Sequence, residues 1–273
     1  MIYDYNALQK DFAKIAKRYP FIQIETIGRS INCRDIYAIR LGSGEKEVFY
    51  NGTHHALEWI TSKLLMRFVF EYCKAYIKGT RIKGYNIRKL FDSVSIYIVP
   101  MVNPDGIEIA KYNSNWQANA RGVDLNHNYD ASWQEGCDIA KAMGYGKPGA
   151  TKYSGRCPES EPETRAVASF TRSKNFEYVI AFHSQGEVIY WKYGETLPAD
   201  AETLALMLSS ASGYALDETE GVASYSGYKD WFIDKFNRPG FTVEVGMGKN
   251  PLPLNQFNII YNDILEMLVL AGV

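Results

Sequence analysis

The spacing of apolar and polar residues changes period several times along the chain, and each change marks an element. Over residues 4–18, Leu8, Phe12, Ile15 and Ala16 recur at helical intervals with basic residues between them, which predicts an opening helix capped by Asp4. IQIETIG and DIYAIRLG alternate with period two on either side of GRSINCR, the pattern of two strands joined by a turn. EVFYNGTHH predicts a third strand. Directly after it, Ile60, Leu64, Leu65, Phe68 and Tyr72 return to helical spacing over 57–76. Strand-like runs recur at VSIYIVPMV, at EYVIAF with VIYW close behind, and at GFTVEVG, each bounded by Gly, Pro, Asn or Ser. Helices are expected over 161–172, 199–212 and 255–270, the last with Asn255 as its cap. The stretch 111–160 holds no period and is rich in Asn, Gly and Tyr, so it reads as loops of the kind that gather at a site. Buried strands alternating with helices predict a single α/β domain over 1–273: a mixed, mostly parallel twisted sheet with helices on both faces. Ligands of such sheets collect beyond the carboxyl ends of the strands, which is where His55, Asn103, His183 and Glu244 fall.

Composition narrows the choice of partner. With 273 residues and 46% hydrophobic content the chain can bury one substantial core. Lys plus Arg is 30 against 31 for Asp plus Glu, so a net charge of −1 gives no long-range field to draw nucleic acid or an anionic membrane. Neither partner is expected, and no Walker loop or G-x-S-x-G elbow is present. The chain contains no run of about 18 apolar residues, so membrane insertion is not expected. MIYDYNALQKDFAKIAKRYP lacks the features of a signal peptide, and a cytoplasmic location is expected, although a trimmed secreted form would read the same. Cys33, Cys73, Cys137 and Cys157 form no C-x-x-C pair and read as free thiols; Cys137 and Cys157 flank a loop-like region and are the pair that could bridge. Oligomeric state leaves no mark on the sequence.

Chemistry concentrates on few residues. Of the four histidines, His54, His55, His127 and His183, two stand in H-A-L-E and F-H-S-Q-G-E. At a strand-to-helix junction the spacing of His55 and Glu58 can turn an imidazole and a carboxylate toward one metal ion, and a third ligand from a distant strand leaves one position open for water. The same spacing also suits a core histidine beside a surface glutamate, and on its own it decides nothing. Strand alternation places His54 on the face opposite His55, a core or supporting position. Glu244, among Phe241, Val243 and Val245, is costly to bury unpaired, so it should face a polar site or hold its proton.

Five segments in order carry a resemblance over nearly the whole chain: NGTHHALEWI, MVNPDG, GVDLNHNYD, AFHSQG and DWFIDKFNRPGFTVE. Together they resemble the zinc carboxypeptidase family typified by carboxypeptidase A. The resemblance implies one Zn²⁺ held by His55, Glu58 and His183, with Glu244 as general base and proton shuttle. Departures from the family pattern shape the substrate expectation. Family exopeptidases clamp a terminal carboxylate with an Asn-Arg pair, and here Asn126 is followed by His127. The family's closing tyrosine has no counterpart at Val222, leaving Tyr225 and Tyr228 as candidates. Trp116 precedes Gln117 instead of the arginine that polarises the scissile carbonyl, and Arg121 is the substitute. Lys229 occupies the family position at the base of the pocket beyond the scissile bond, where it would attract an additional carboxylate; the other reading is a solvated surface lysine. N-H-N-Y-D and H-S-Q-G-E-V-I-Y-W resemble the bacterial branch that cleaves γ-D-glutamyl-diaminopimelate bonds, so a peptide or muropeptide substrate is expected. The alternatives are an ordinary carboxypeptidase and a non-catalytic module binding cell-wall peptide.

Overall fold

The computed structural model describes residues 2–270. Helix α1 (Tyr5–Arg18) is capped by Asp4, whose carboxylate accepts from Ala7 N at 2.9 Å, and it buries Leu8, Phe12 and Ile15. The antiparallel strands β1 (Gln23–Arg29) and β2 (Asp35–Leu41) lead to β3 (Lys46–Gly52). A 3-10 turn over Ala56–Glu58 opens into α2 (Ile60–Lys78), which ends at Gly79 with φ 65, the left-handed stop that glycine accepts without strain. A small hairpin of β4 (Arg81–Ile82) and β5 (Tyr85–Asn86) precedes α3 (Ile87–Ser93), β6 (Val94–Val99) and α4 (Pro104–Ala110). There follow α5 (Trp133–Ala142), α6 (Pro162–Arg172), β7 (Tyr178–His183), β8 (Val188–Tyr190), α7 (Ala201–Ser212) and β9 (Ala215–Asp217). The chain closes with α8 (Tyr228–Phe236), β10 (Gly240–Glu244) and α9 (Phe257–Val269).

One eight-stranded sheet runs in the order β1-β2-β6-β3-β7-β10-β8-β9. Its centre, β6-β3-β7-β10, is parallel throughout, as expected for strands whose residues are buried on both faces. Side chains of α1, α2, α3, α7 and α9 cover one face around Ile39, Val48, Tyr50, Ile96, Ile180 and Val243. Those of α6 and α8 cover the other around Phe49, Tyr97, Val179 and Ala181. No helix among the described residues is long and apolar enough to cross a membrane.

Two local readings need correction. The supposedly irregular stretch 111–160 contains α5, and its mid-helix Gly136 is what hides the helical period. A Cβ at Gly136 would stand 2.7 Å from Tyr225 Cβ, so the glycine is there to let a neighbouring loop approach. Asn255 does not cap the last helix: it lies inside a 3-10 turn over Leu254–Gln256, and α9 starts only at Phe257. The four cysteines are free thiols, as read from the sequence, and Cys137 and Cys157 do not bridge.

Glu163 at the start of α6 ties the β1–β2 turn to the site loop: Oε1 accepts from Ile31 N at 3.2 Å and Oε2 from Asn119 Nδ2 at 3.2 Å. Burial pushes its carboxyl up to about 7, and the charge of Asp105 adds to the effect. A raised carboxyl pKa means that the folded state holds the proton more tightly than the unfolded chain. Its favourable contribution is therefore complete below about pH 4.5 and is lost as pH rises toward about 7, up to ~3 kcal/mol in all. Glu163→Gln is expected to flatten that fall, so the variant matches wild type near pH 4.5 and exceeds it near pH 8 in urea unfolding. Parallel curves at both pH values would contradict the assignment.

Candidate metal centre

The carboxyl ends of three adjacent parallel strands, β3, β7 and β10, supply the chemistry. Beyond β3, Thr53 turns the chain at φ 57, and its hydroxyl meets those of Thr61 and Ser62 on α2 at 2.8 and 2.7 Å. The N-P-D-G segment holds this turn from the other side. Asn103 N donates to Thr53 O at 3.1 Å and Asn103 Nδ2 donates to His54 O at 3.0 Å, while Oδ1 caps α4 through Gly106 N at 2.9 Å. Gly106 is required for this: a Cβ there would come within 2.4 Å of Ala118 O. The motif thus fixes the backbone from which His55 projects.

His55 Nδ1 lies 3.0 Å from Glu58 Oε1, His183 Nδ1 lies 3.0 Å from Glu58 Oε2, and the two Nδ1 atoms are 3.2 Å apart. Zinc bound at about 2.0–2.2 Å in a tetrahedral site sets its ligand atoms roughly 3.3–3.6 Å from one another, so small outward shifts of this group make room for the ion. Two imidazoles and one carboxylate are a donor set that leaves a coordination position open, and the residues fit zinc on both chemistry and spacing. Burial by itself raises the Glu58 carboxyl, but the facing His55 and His183 rings outweigh it and hold it down at about 2. Ser184 N and Asn250 Nδ2, at 3.3 and 3.4 Å, steady its two oxygens.

Asp124 is absent from the sequence-derived candidates, yet its Oδ1 lies 3.1 Å from His55 Nε2, orienting the ring so that Nδ1 points at Glu58. Burial opposes the charge on Asp124 as well, but His55 and His127 keep its carboxyl far below the usual range. Its only trace in the sequence is the D-x-N turn it caps, accepting from Asn126 N at 3.2 Å. Asp124→Asn is expected to weaken metal binding about 10–100-fold, as removal of such a supporting carboxylate does, measured by chelator competition. Unchanged affinity would reduce Asp124 to a loop cap.

Glu244 pairs in register with His183 on the neighbouring strand, so both side chains leave the same face of the sheet. Burial, reinforced by the like charge of Glu58, holds the Glu244 carboxyl well above its usual range, with His55 pulling the other way. His54 is buried on the far side of the turn, with Nε2 2.9 Å from the Tyr129 hydroxyl and its ring stacked 5.6 Å from that of His183.

The remaining candidates divide. Asn126 Oδ1 accepts from Tyr228 N at 3.0 Å, and His127 is buried with Nδ1 3.3 Å from Tyr225 O. Burial depresses the His127 pKa, so its ring is neutral and supplies no substitute for a guanidinium. Tyr225 is partly exposed on the loop packed against Gly136. Tyr228 is not a mobile closing residue: fully buried, it bonds Thr171 Oγ1 at 3.0 Å and packs against Phe49, Tyr129 and Trp231. Lys229 is neither solvated nor a free pocket cation. It is 2% exposed, with Nζ 2.5 Å from Asp230 Oδ1 and also bonded to Lys192 O, so a neighbouring carboxylate already meets its charge. Arg121 is more than half exposed, and its guanidinium is paired at 3.6 Å with Glu161.

A family model described as zinc carboxypeptidase matches residues 8–267. Among curated relatives, gamma-D-glutamyl-L-diamino acid endopeptidase 1 of Lysinibacillus sphaericus is 38% identical over 99% of this chain and 72% of its own length. Human mast cell carboxypeptidase A is 32% identical over 74% of this chain and 50% of its own. Of solved structures, bovine thrombin-activatable fibrinolysis inhibitor in complex with tick carboxypeptidase inhibitor superposes with TM-score 0.80 at 23% identity, over 100% of this chain and 96% of that one, a likeness of fold. With the His-Glu-His group, two of its members buried, at the end of a parallel sheet, these matches show that the chain belongs to the zinc carboxypeptidase family and is a metallopeptidase.

Proposed function

We propose that this protein hydrolyses the γ-D-glutamyl-meso-diaminopimelate bond of peptidoglycan-derived peptides, with His55, Glu58 and His183 holding one Zn²⁺ and Glu244 moving the proton. The observation that carries the reading is the meeting of two Nδ1 atoms and one carboxylate within 3.2 Å, beside a glutamate in register on the next strand. Zinc at such a site supplies Lewis acidity and acidifies water toward a pKa of roughly 7. Glu58 stays ionised and His55 is held by Asp124, so the donors are charged and oriented before substrate arrives. Glu244 takes the proton from the attacking water and returns it to the departing amine, a role that suits a carboxyl whose affinity for protons is raised by burial.

The substrate class follows from two things: the Lysinibacillus relative's named activity, and a neutral, buried His127 where family exopeptidases place a carboxylate-binding arginine. Mass spectrometry of L-Ala-γ-D-Glu-meso-diaminopimelate incubated with the zinc-loaded protein should show release of diaminopimelate. Hydrolysis of ordinary dipeptide C-termini, lost on amidation, would assign the protein to the exopeptidases instead. Binding of muropeptide with no cleavage would leave a recognition module.

A further inference from the structure

Remote from the sheet ends, a groove of about 1070 Å³ runs between α1, the outer ridge of α2, β4 and the start of α9. Its walls carry Arg18, Lys63, Arg67, Lys74, Lys78 and Arg81 against two carboxylates, Asp11 and Glu71, in a chain whose overall charge is −1. Both carboxylates are engaged elsewhere: Asp11 with Lys14 and the Tyr3 hydroxyl, Glu71 with the Tyr261 hydroxyl at 2.9 Å. Among the described residues none of the six cations takes part in an ion pair. Near-neutral composition conceals this concentration: six of the 30 basic residues line the groove against two of the 31 acidic ones.

We propose that this groove binds a linear phosphodiester polyanion, recognised through its phosphates alone. Lys63, Arg67, Lys74 and Lys78 fall on one stripe of α2, with axial rises of about 6, 10 and 6 Å between neighbours, so they form a charged rail roughly 22 Å long. A rail of regularly placed cations suits a chain that carries one charge per repeat. The aromatic rings of the groove offer little for stacking: Tyr3, Tyr19 and Phe257 are each under a tenth exposed, and Phe70, half-buried, packs edge-on against Tyr19. Cations cover two of them, Arg18 at 5.7 Å from the Tyr19 ring and Lys63 at 4.6 Å from the Phe257 ring. Bases therefore find no fully exposed ring to stack on, Phe70 alone being partly open. A protein partner is disfavoured as well, since none of the exposed large hydrophobic residues lines the groove to serve as an anchor. The rail begins one helical turn past Glu58 and runs away from it, so a bound polymer would lie along the enzyme without crossing the metal centre.

The test uses the full zinc-loaded chain and three labelled probes of equal length in fluorescence anisotropy: an abasic deoxyribose-phosphate oligomer, oligothymidylate and oligoglutamate. The abasic oligomer is expected to bind at about 0.15 M salt as well as oligothymidylate and better than oligoglutamate, with affinity falling steeply as salt rises. Lys74→Gln with Lys78→Gln, both exposed and without hydrogen-bond or ion-pair partners among the described residues, should weaken binding at least tenfold. The variant should also reduce the slope of log affinity against log salt by roughly 0.7–0.9 for each phosphate that is no longer neutralised, with tripeptide hydrolysis and thermal midpoint unchanged. Neutralising Lys141 and Lys147, outside the groove, should leave binding as it was. No binding by the abasic oligomer, or equal binding by the Lys74/Lys78 variant, overturns the proposal. Clearly tighter binding of oligothymidylate overturns it in favour of base recognition, and tighter binding of oligoglutamate in favour of an acidic protein segment.

Discussion

Glu244→Gln should lower turnover of the γ-D-glutamyl tripeptide roughly 10³–10⁴-fold while zinc stays at one ion per chain. A positioned acid or base contributes about 10²–10⁴-fold to a step, and the upper part of that range is expected where one carboxyl serves both the attack and the departure of the amine. The amide keeps the shape of the side chain and removes only its ability to take and return a proton. Metal content is expected to persist because Glu244 is not one of the converging donors; it faces them from β10, across from His183. The steady-state rate and the metal content of the same sample check both halves. Turnover within tenfold of wild type would take Glu244 out of the reaction.

The second large effect is on the ion itself. His183→Ala should weaken zinc binding on the order of 10²–10³-fold, since structural zinc sites gain about 10–16 kcal/mol from four ligands and this site offers three protein donors. That loss should exceed the one from Asp124→Asn, because Asp124 only aims a donor whereas His183 is one. Activity should fall with metal occupancy and recover in part at high added zinc. His183 is 1% exposed and packed between His54 and His55, so the variant also leaves a cavity, and circular dichroism separates loss of metal from loss of fold. A variant that is folded and binds zinc as wild type does would remove His183 from the site.

What the sequence made legible was whatever depends on local period and short spacing. Apolar runs such as VSIYIV and YVIAFH could be placed as central strands because their residues are buried on both faces, and His55 and Glu58 could be paired because three positions separate them at a strand end. Relations across the chain were less visible. Asp124 reaches His55 from 69 positions away, and nothing in D-L-N announces that contact. Tyr228 and Lys229 looked available because polar tips are usually solvated; the start of α8 turns the tyrosine into the second core and sets Asp230 against the lysine. Helix α5 is hidden because Gly136, needed for the approach of Tyr225, breaks its pattern. Neither the donors gathered at the metal centre nor the cations open along α2 show in an overall charge of −1, because only the fold brings each group together.

The most direct test of the metal centre is zinc K-edge absorption fine structure on the purified, zinc-reconstituted protein. One zinc per chain is expected, with two imidazole nitrogens and carboxylate or water oxygens at about 2.0–2.2 Å, no sulfur, and the disappearance of one imidazole shell in His183→Ala. A sulfur shell near 2.3 Å, or an imidazole count unchanged by that substitution, would contradict this ligand set.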